Sequence, residues 1–208
     1  MIIDLHFHTQ RYSSCSRIAL EDGVKRAAAL GLDAICITEH DVFHNYSNVA
    51  ELERKFKIKI FSGVEILTNQ GDIICFGLDQ IPEKMLFAEE LVAHLFKSGG
   101  ATIAAHPFRD NNRGIKDLIC SLPGLTAVEA WNGNTAQKDN LHALELARRC
   151  KIPVTGASDS HRIEKIGCFA TEFFASICSE RELINALRSG EYQPVRYNEE
   201  TGLYQEPI

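Results

Sequence analysis

The chain opens with Met1-Ile2-Ile3-Asp4-Leu5-His6-Phe7-His8-Thr9. Apolar residues lead into two histidines one residue apart, and strand side chains alternate with period 2, so His6 and His8 point to one face. A core strand has no use for such a pair. Each neutral imidazole needs a polar partner at both ring nitrogens, and burying one unpaired costs on the order of 1 to 3 kcal/mol. A shared metal ion meets that need. A surface or hydrogen-bonded pair is the competing reading of a lone His-x-His, so the rest of the chain has to discriminate.

Working outward, Leu20 to Leu30 has helical spacing and stops at Gly31, a residue type that commonly ends helices. Asp33 to Thr38 is a short, nearly continuous apolar run, the mark of a strand covered on both faces, and it leads into Glu39-His40-Asp41. The pattern then repeats. A helix is expected over 49–56, a strand over 58–64 ending at Glu65, another strand over 72–78, a helix over 84–97 and a strand over 101–105 ending at His106-Pro107. A short helix over 118–122, a strand over 125–130 carrying Glu129 and ending near Asn132, a helix over 140–150 and a strand over 152–157 ending in Asp159-Ser160-His161 come next. A strand over 169–177 and a helix over 180–188 close the series, and the polar tail after Gly190 shows no motif. Alternating strands and helices predict an α/β fold with parallel pairing and right-handed crossovers, either open and doubly wound or closed as a barrel. No glycine-rich nucleotide or phosphate loop is present.

Composition narrows the function. A length of 208 residues suits a single domain, read as spanning 1–208. With 45% hydrophobic and 24% charged residues the chain is of globular type, which excludes disorder. A net charge of −6 disfavours a nucleic-acid polymer as partner, because that binding rests on Lys and Arg neutralising the backbone. No apolar run matches a bilayer span, and Asp4 and His6 interrupt the start too early for a signal peptide. A cytoplasmic protein without a membrane partner is expected. Seven cysteines without a CxxC pair argue against a disulfide framework. Cys15 stands apart, in the polar Ser13-Ser14-Cys15-Ser16 loop.

His6, His8, His40, Glu65, His106, Asp159 and His161 all fall at or just after the C-terminal ends of predicted strands. In parallel α/β folds that rim is where active sites assemble, so side chains scattered along the chain converge in space. Taken singly, His106 before Pro107 reads as a turn residue and His161 as a loop residue; taken together the set reads as a metal centre. His44, His94 and His142 lie away from strand ends and are assigned to the surface. Imidazole and carboxylate donors without thiolates suit Zn, Mn or Fe. Two divalent ions on Glu65 and Asp159 would leave the site at about +2, which invites an anion.

The ordered motifs His6-x-His8, Thr38-Glu39-His40, Gly63-Val64-Glu65, Ala105-His106-Pro107, Val128-Glu129-x-x-Asn132 and Asp159-Ser160-His161 resemble those of the polymerase and histidinol phosphatase (PHP) domain family of metal-dependent phosphoesterases. The resemblance implies a distorted (β/α)7 barrel with two or three divalent transition metals (Zn, Mn or Fe) on its C-terminal rim. It places His6, His8, Glu65 and Asp159 on a first ion, Glu65 and His106 on a second, and His40 and His161 on a third. Cys15, Glu39, Glu129 and Asn132 are further candidates for the ion-binding shell. The chain departs from the common pattern in four places. Glu39 replaces an Asp, Ser14 and Cys15 stand where others carry an acidic or His ligand, Asn132 takes what some relatives fill with His, and Asp72 does so in the strand after Gly71.

The resemblance further implies hydrolysis of a small phosphomonoester or nucleotide phosphate, with a metal-bridging hydroxide as nucleophile. Asp159 and His161 would handle protons, and Arg109 would bind substrate through its guanidinium fork. Amidohydrolase-type C–N hydrolysis is the competing chemistry, since those barrels also begin with His-x-His. A non-catalytic or nuclease accessory module is the other alternative.

Overall fold

The computed structural model describes residues 1–207, with eleven strands, five α-helices and two short 3-10 helices. The strands form two sheets. The first contains β1 (Ile2–Phe7), β2 (Ala34–Ile37), β3 (Lys59–Ser62), β9 (Phe169–Phe173), β10 (Tyr192–Asn198) and β11 (Leu203–Gln205), in the order β11-β10-β9-β1-β2-β3. The second contains β4 (Val64–Leu67), β5 (Asp72–Phe76), β6 (Ala101–Ala104), β7 (Ala127–Asn132) and β8 (Val154–Ala157), in sequence order. The helices are α1 (Leu20–Ala29), α2 (Val49–Phe56), α3 (Ala88–Ser98), α4 (Gln137–Cys150) and α5 (Glu180–Ser189).

Apolar patterning explains the layering. Ile3 and Leu5 of β1, Ala34 and Cys36 of β2, Ile74 and Phe76 of β5 and Ala101 and Ile103 of β6 share a core between the sheets. Leu20, Val24 and Ala27 of α1 and Leu52 of α2 pack with Ile35 and Ile37 on the far side of the first sheet. Leu91 and Leu95 of α3 and Ala143 and Ala147 of α4 cover Ile73, Val128 and Ala130 of the second.

The fold is thus mixed α/β, but two expectations need correction. Parallel pairing holds for β1–β2, β2–β3, β6–β7 and β7–β8, whereas β5 runs antiparallel to both its neighbours and β9 runs antiparallel to β1 and β10. For β4 and β5 the reason is local, because no helix separates Glu65 from Asp72 and a short turn permits only a hairpin. The closed seven-stranded barrel is also not seen among the described residues. At the two seams single bridges, Phe7 to Ser160 and His40 to Glu65, stand in place of ladders.

The run expected as one strand over 58–64 is split at Gly63. A Cβ there would sit 2.7 Å from Phe76 Cε1, so only glycine lets the chain pass that ring as it switches sheets. Helix α3 starts at Ala88 rather than residue 84, with Glu90 accepting from the Phe87 N–H at 2.8 Å. The tail after Gly190 forms β10 and β11. One disulfide, Cys120–Cys150, joins the 3-10 helix Lys116–Ser121 to the end of α4, while Cys15, Cys36, Cys75, Cys168 and Cys178 are free. No helix among the described residues is long and apolar enough to cross a membrane.

Candidate metal centre

Both seams open onto the C-terminal rim of β1, β2 and β8. The β1–β2 register shifts between Asp4 and Phe7, so Phe7 joins the α1-side core although Ile3 and Leu5 lie between the sheets. Such an extra residue re-aims the side chains that follow it. His6 and His8 accordingly come together, with ring centroids 4.9 Å apart and both rings fully buried. His106 (φ +30°) and Asp159 (φ +49°) hold left-handed backbone, which non-glycine residues adopt at a cost and which recurs at functional sites.

Four donor atoms face one another. His6 Nε2 lies 3.4 Å from Glu65 Oε2 and 3.5 Å from Asp159 Oδ1, and His8 Nε2 lies at the same two distances. Two donors sharing one ion at roughly 2.0 to 2.1 Å stand about 3.4 Å apart in tetrahedral coordination, as each of these N–O pairs does, and donor atoms of His6, His8 and Glu65 lie within 4.8 Å of one another, so the residues present fit a divalent ion. His6 Nε2, His8 Nε2 and Glu65 Oε2 are buried and make no hydrogen bond, an expensive state without a further partner. The other ring nitrogens are occupied. His6 Nδ1 is 2.9 Å from Glu129 Oε1, His8 Nδ1 is 3.3 Å from Ser13 Oγ, and His161 Nδ1 donates to the Asp159 carbonyl at 3.0 Å. Bonds of this kind fix the tautomer and leave Nε2 with its lone pair outward.

Glu65 belongs to more than one group. Its Oε2 faces His6, His8 and His40 Nδ1 (2.7 Å), and its Oε1 lies 3.0 Å from His106 Nε2. Donor atoms of Glu65, Asp72 and His106 lie within 4.8 Å of one another, as do those of His8, His40 and His161. The third group is the most open, with His40 26% and His161 20% exposed.

Electrostatics follow from burial and pairing. Burial works against protonation of His6, but Asp159, Glu129 and Glu65 outweigh it and lift its pKa well above the ordinary value; His8 is raised too, by Asp159 and Glu65 against burial. Burial would raise Glu65 and Asp159, yet both fall well below the usual carboxylate range, chiefly through His6. His161 is pushed down to about 4 by burial and the neighbouring His8. Asp72 is raised to about 6 by burial and by Glu65.

The other predicted residues fall around this centre. The Arg109 guanidinium pairs with Asp159 and bonds Asn132 Oδ1 at 2.6 Å and Thr135 Oγ1 at 3.2 Å. Glu129 accepts from His106 N at 2.9 Å and Asn132 Nδ2 at 2.8 Å besides meeting His6. Glu39 accepts from Thr9 N at 3.0 Å and Ser13 Oγ at 2.6 Å. Glu39, Glu129 and the exposed Cys15 belong to none of the groups of converging donors, while Asn132 Nδ2 donates to Asp159 Oδ2 at 3.1 Å. His94 and His142 are exposed, whereas His44 is half-buried rather than on the surface. Asp72 and Arg113 were missed as site residues. The one signal was that Asp72 stands where some relatives carry His, and nothing in the spacing pointed to Arg113.

The PHP domain model matches residues 4–155, nearly the whole span of these motifs. The chain belongs to the PHP domain family. A PHP-associated model matches residues 137–192. An uncharacterized protein of Methanocaldococcus jannaschii is 31% identical over 142 residues, which is 64% of this chain and 82% of that protein. Among solved structures, PsfC from Pseudomonas syringae has a TM-score of 0.70 at 21% identity, over 93% of this PHP chain and 90% of its own. A Bifidobacterium adolescentis protein provisionally assigned as a metal-dependent phosphoesterase has a TM-score of 0.62 at 17% identity, over 76% and 87%. An amidohydrolase from Chromobacterium violaceum, with sulfate bound and no metal, has a TM-score of 0.65 at 18% identity, over 96% and 99%. At these identities the likeness concerns the fold.

Proposed function

We propose that this PHP domain hydrolyses a small phosphate ester at a centre of two or three divalent ions. The observation that carries the reading is the buried Glu65 carboxylate, whose two oxygens face two different sets of donors. His6, His8, Asp159 and Glu65 would hold one ion, Glu65 and His106 with Asp72 a second, and His40 and His161 beside His8 a third. Zn, Mn or Fe suits this donor set. Ions held there supply acidified water near neutral pH and draw charge from phosphoryl oxygens.

The side chains divide the remaining work. Glu129 keeps His6 in the tautomer that presents Nε2, and Ser13 sits at the equivalent nitrogen of His8. Arg109 brings a planar fork to the edge of the donor cluster, matched to phosphate oxygens. His161 is partly exposed, its pKa is near 4 and its Nδ1–H donates to the Asp159 carbonyl, so its Nε2 lone pair is free at pH 7 for the third ion or, where only two ions are held, to accept a proton. Burial of Glu65, Asp159, His6 and His8 excludes bulk water and strengthens each of these interactions.

C–N hydrolysis is the second reading, suggested by the likeness to the Chromobacterium violaceum amidohydrolase. Such sites generally use a metal-bridging lysine, and every lysine of this chain is solvent-exposed. The two chemistries separate in one assay. Chelator-stripped protein is reloaded with Zn, Mn or Fe and offered a panel of phosphate esters and amides. Ion-dependent phosphate release that Asp159→Asn abolishes, without loss of the circular dichroism signal, is expected. Turnover of amides alone, or ester turnover by the stripped protein, would overturn the proposal.

A further inference from the structure

Asp72 opens β5 with its side chain fully buried, and Arg113 grips both of its oxygens, Nε to Oδ2 at 2.6 Å and Nη2 to Oδ1 at 2.9 Å. Oδ2 also lies 3.7 Å from His106 Nε2, inside the group formed with Glu65. The same carboxylate therefore faces a fixed cation on one side and an ion-binding cluster on the other.

The backbone builds this arrangement in. Asp72 N–H donates to the Arg113 carbonyl at 2.8 Å, and Gly71 (φ +146°) lets the loop pass, since a Cβ there would sit 2.7 Å from that same carbonyl and from Ile115 N. Arg109, from the same loop, is tied by Asp159, Asn132 and Thr135, whereas among the described residues Asp72 alone bonds the Arg113 guanidinium. Arg113 is also the more open of the two, with its side chain 34% exposed against 18% for Arg109. It is the arginine that can leave.

We propose that Arg113 competes with a divalent ion for Asp72, so that the Glu65–Asp72–His106 group binds its ion more weakly than the His6–His8–Glu65–Asp159 group does. The inference rests on the metal-centre reading above and adds to it an order of filling. Like charges held a few ångströms apart in a buried site repel strongly, and removing one partner of a buried pair leaves a carboxylate in need of a cation. Taking away the guanidinium therefore strengthens the second group and leaves the first unchanged.

The test counts ions without reference to turnover. Ion-free protein is titrated with Mn(II), and free Mn(II) is followed by electron paramagnetic resonance, which yields separate affinities for the tight and weak classes. In Arg113→Met the weak class is expected to tighten by about tenfold or more, with the tight class unmoved. Asp72→Asn is expected to lose the weak class, and Arg113→Met added to it should restore nothing. Arg113→Lys keeps the charge and covers the case of a misfolded Met variant, with an affinity expected between those of the wild type and Arg113→Met. An unchanged or weakened second class in Arg113→Met would overturn the competition while leaving the first ion in place. Wild-type protein that takes up no Mn(II) at all would overturn the metal-centre reading and this inference with it.

Discussion

Replacing Glu129 by Gln tests whether the centre is organised from behind. Glu129 Oε1 meets His6 Nδ1 at 2.9 Å, and Oε2 accepts from both His106 N (2.9 Å) and Asn132 Nδ2 (2.8 Å). Gln has one acceptor oxygen, and two donors compete for it on the His106 side against one on the His6 side. The oxygen settles there, and the new amide NH2 turns to His6 Nδ1, which must become an acceptor. The proton then moves to His6 Nε2, the atom that faces Glu65 and Asp159, and blocks the lone pair an ion would use. Outer partners of this kind are worth roughly 10- to 100-fold in metal affinity, or about 1.4 to 2.7 kcal/mol. Competition against a chelator of known strength, with Co(II) absorption reporting the geometry, measures the loss directly. Unchanged affinity in a folded Glu129→Gln protein would refute the orientation argument.

Gly63→Ala pushes a methyl to 2.7 Å from the ring of the buried Phe76, and overpacking of this kind costs about 1 to 3 kcal/mol; urea unfolding should show it, and an unchanged midpoint would mean the sheet switch has slack. Asp159, Glu129 and Glu65 hold the His6 pKa well above its ordinary value in the ion-free chain, and His8 is raised as well, so filling the first group should be linked to proton release, visible as a buffer-dependent heat in calorimetry. No dependence on buffer would contradict the raised pKa. Asp4, fully buried and holding the N–H groups of Ser158 (2.9 Å), Gly167 (3.3 Å) and His6 (3.4 Å), has its pKa raised from 3.8 to about 6. A raised carboxylate contributes stability that is complete below pH 3.8 and lost as pH climbs through 6, on the order of 3 kcal/mol in all. Thermal melts of the ion-free Asp4→Asn protein should therefore decline less between pH 4 and 8 than those of the wild type, and parallel curves would remove Asp4 as the cause.

Much of this was legible because the informative residues are local. The apolar run Ala34–Ile37 before Glu39 and His40, and the match of α2 to Val49–Phe56, follow from periodicity alone. The convergence of His6, His106 and Asp159 followed from their positions at or just after strand ends, whereas Glu65, expected to close a strand, is the second residue of β4 and reaches the site because the chain switches sheets at Gly63. What stayed hidden depends on contacts between distant segments. Gly63 reads as an ordinary strand glycine until Phe76 is beside it, and the β1 register shift appears only in its pairing with β2. The pairing of Asp72 with Arg113 spans a loop closed by Gly71, and β10 and β11 carry too weak an alternation to be read without β9 as a template. Cys120 and Cys150 meet with Cα atoms 5.6 Å apart only because α4 packs back over the 3-10 turn.

The central claim is that the rim of β1, β2, β4, β6 and β8 holds divalent ions around Glu65. Anomalous diffraction from crystals grown with Zn or Mn measures it most directly. The account predicts one peak bounded by His6 Nε2, His8 Nε2, Glu65 Oε2 and Asp159 Oδ1, and a second, weaker one between Glu65 Oε1 and His106 Nε2. Crystals diffracting well with no anomalous density among these atoms would contradict it.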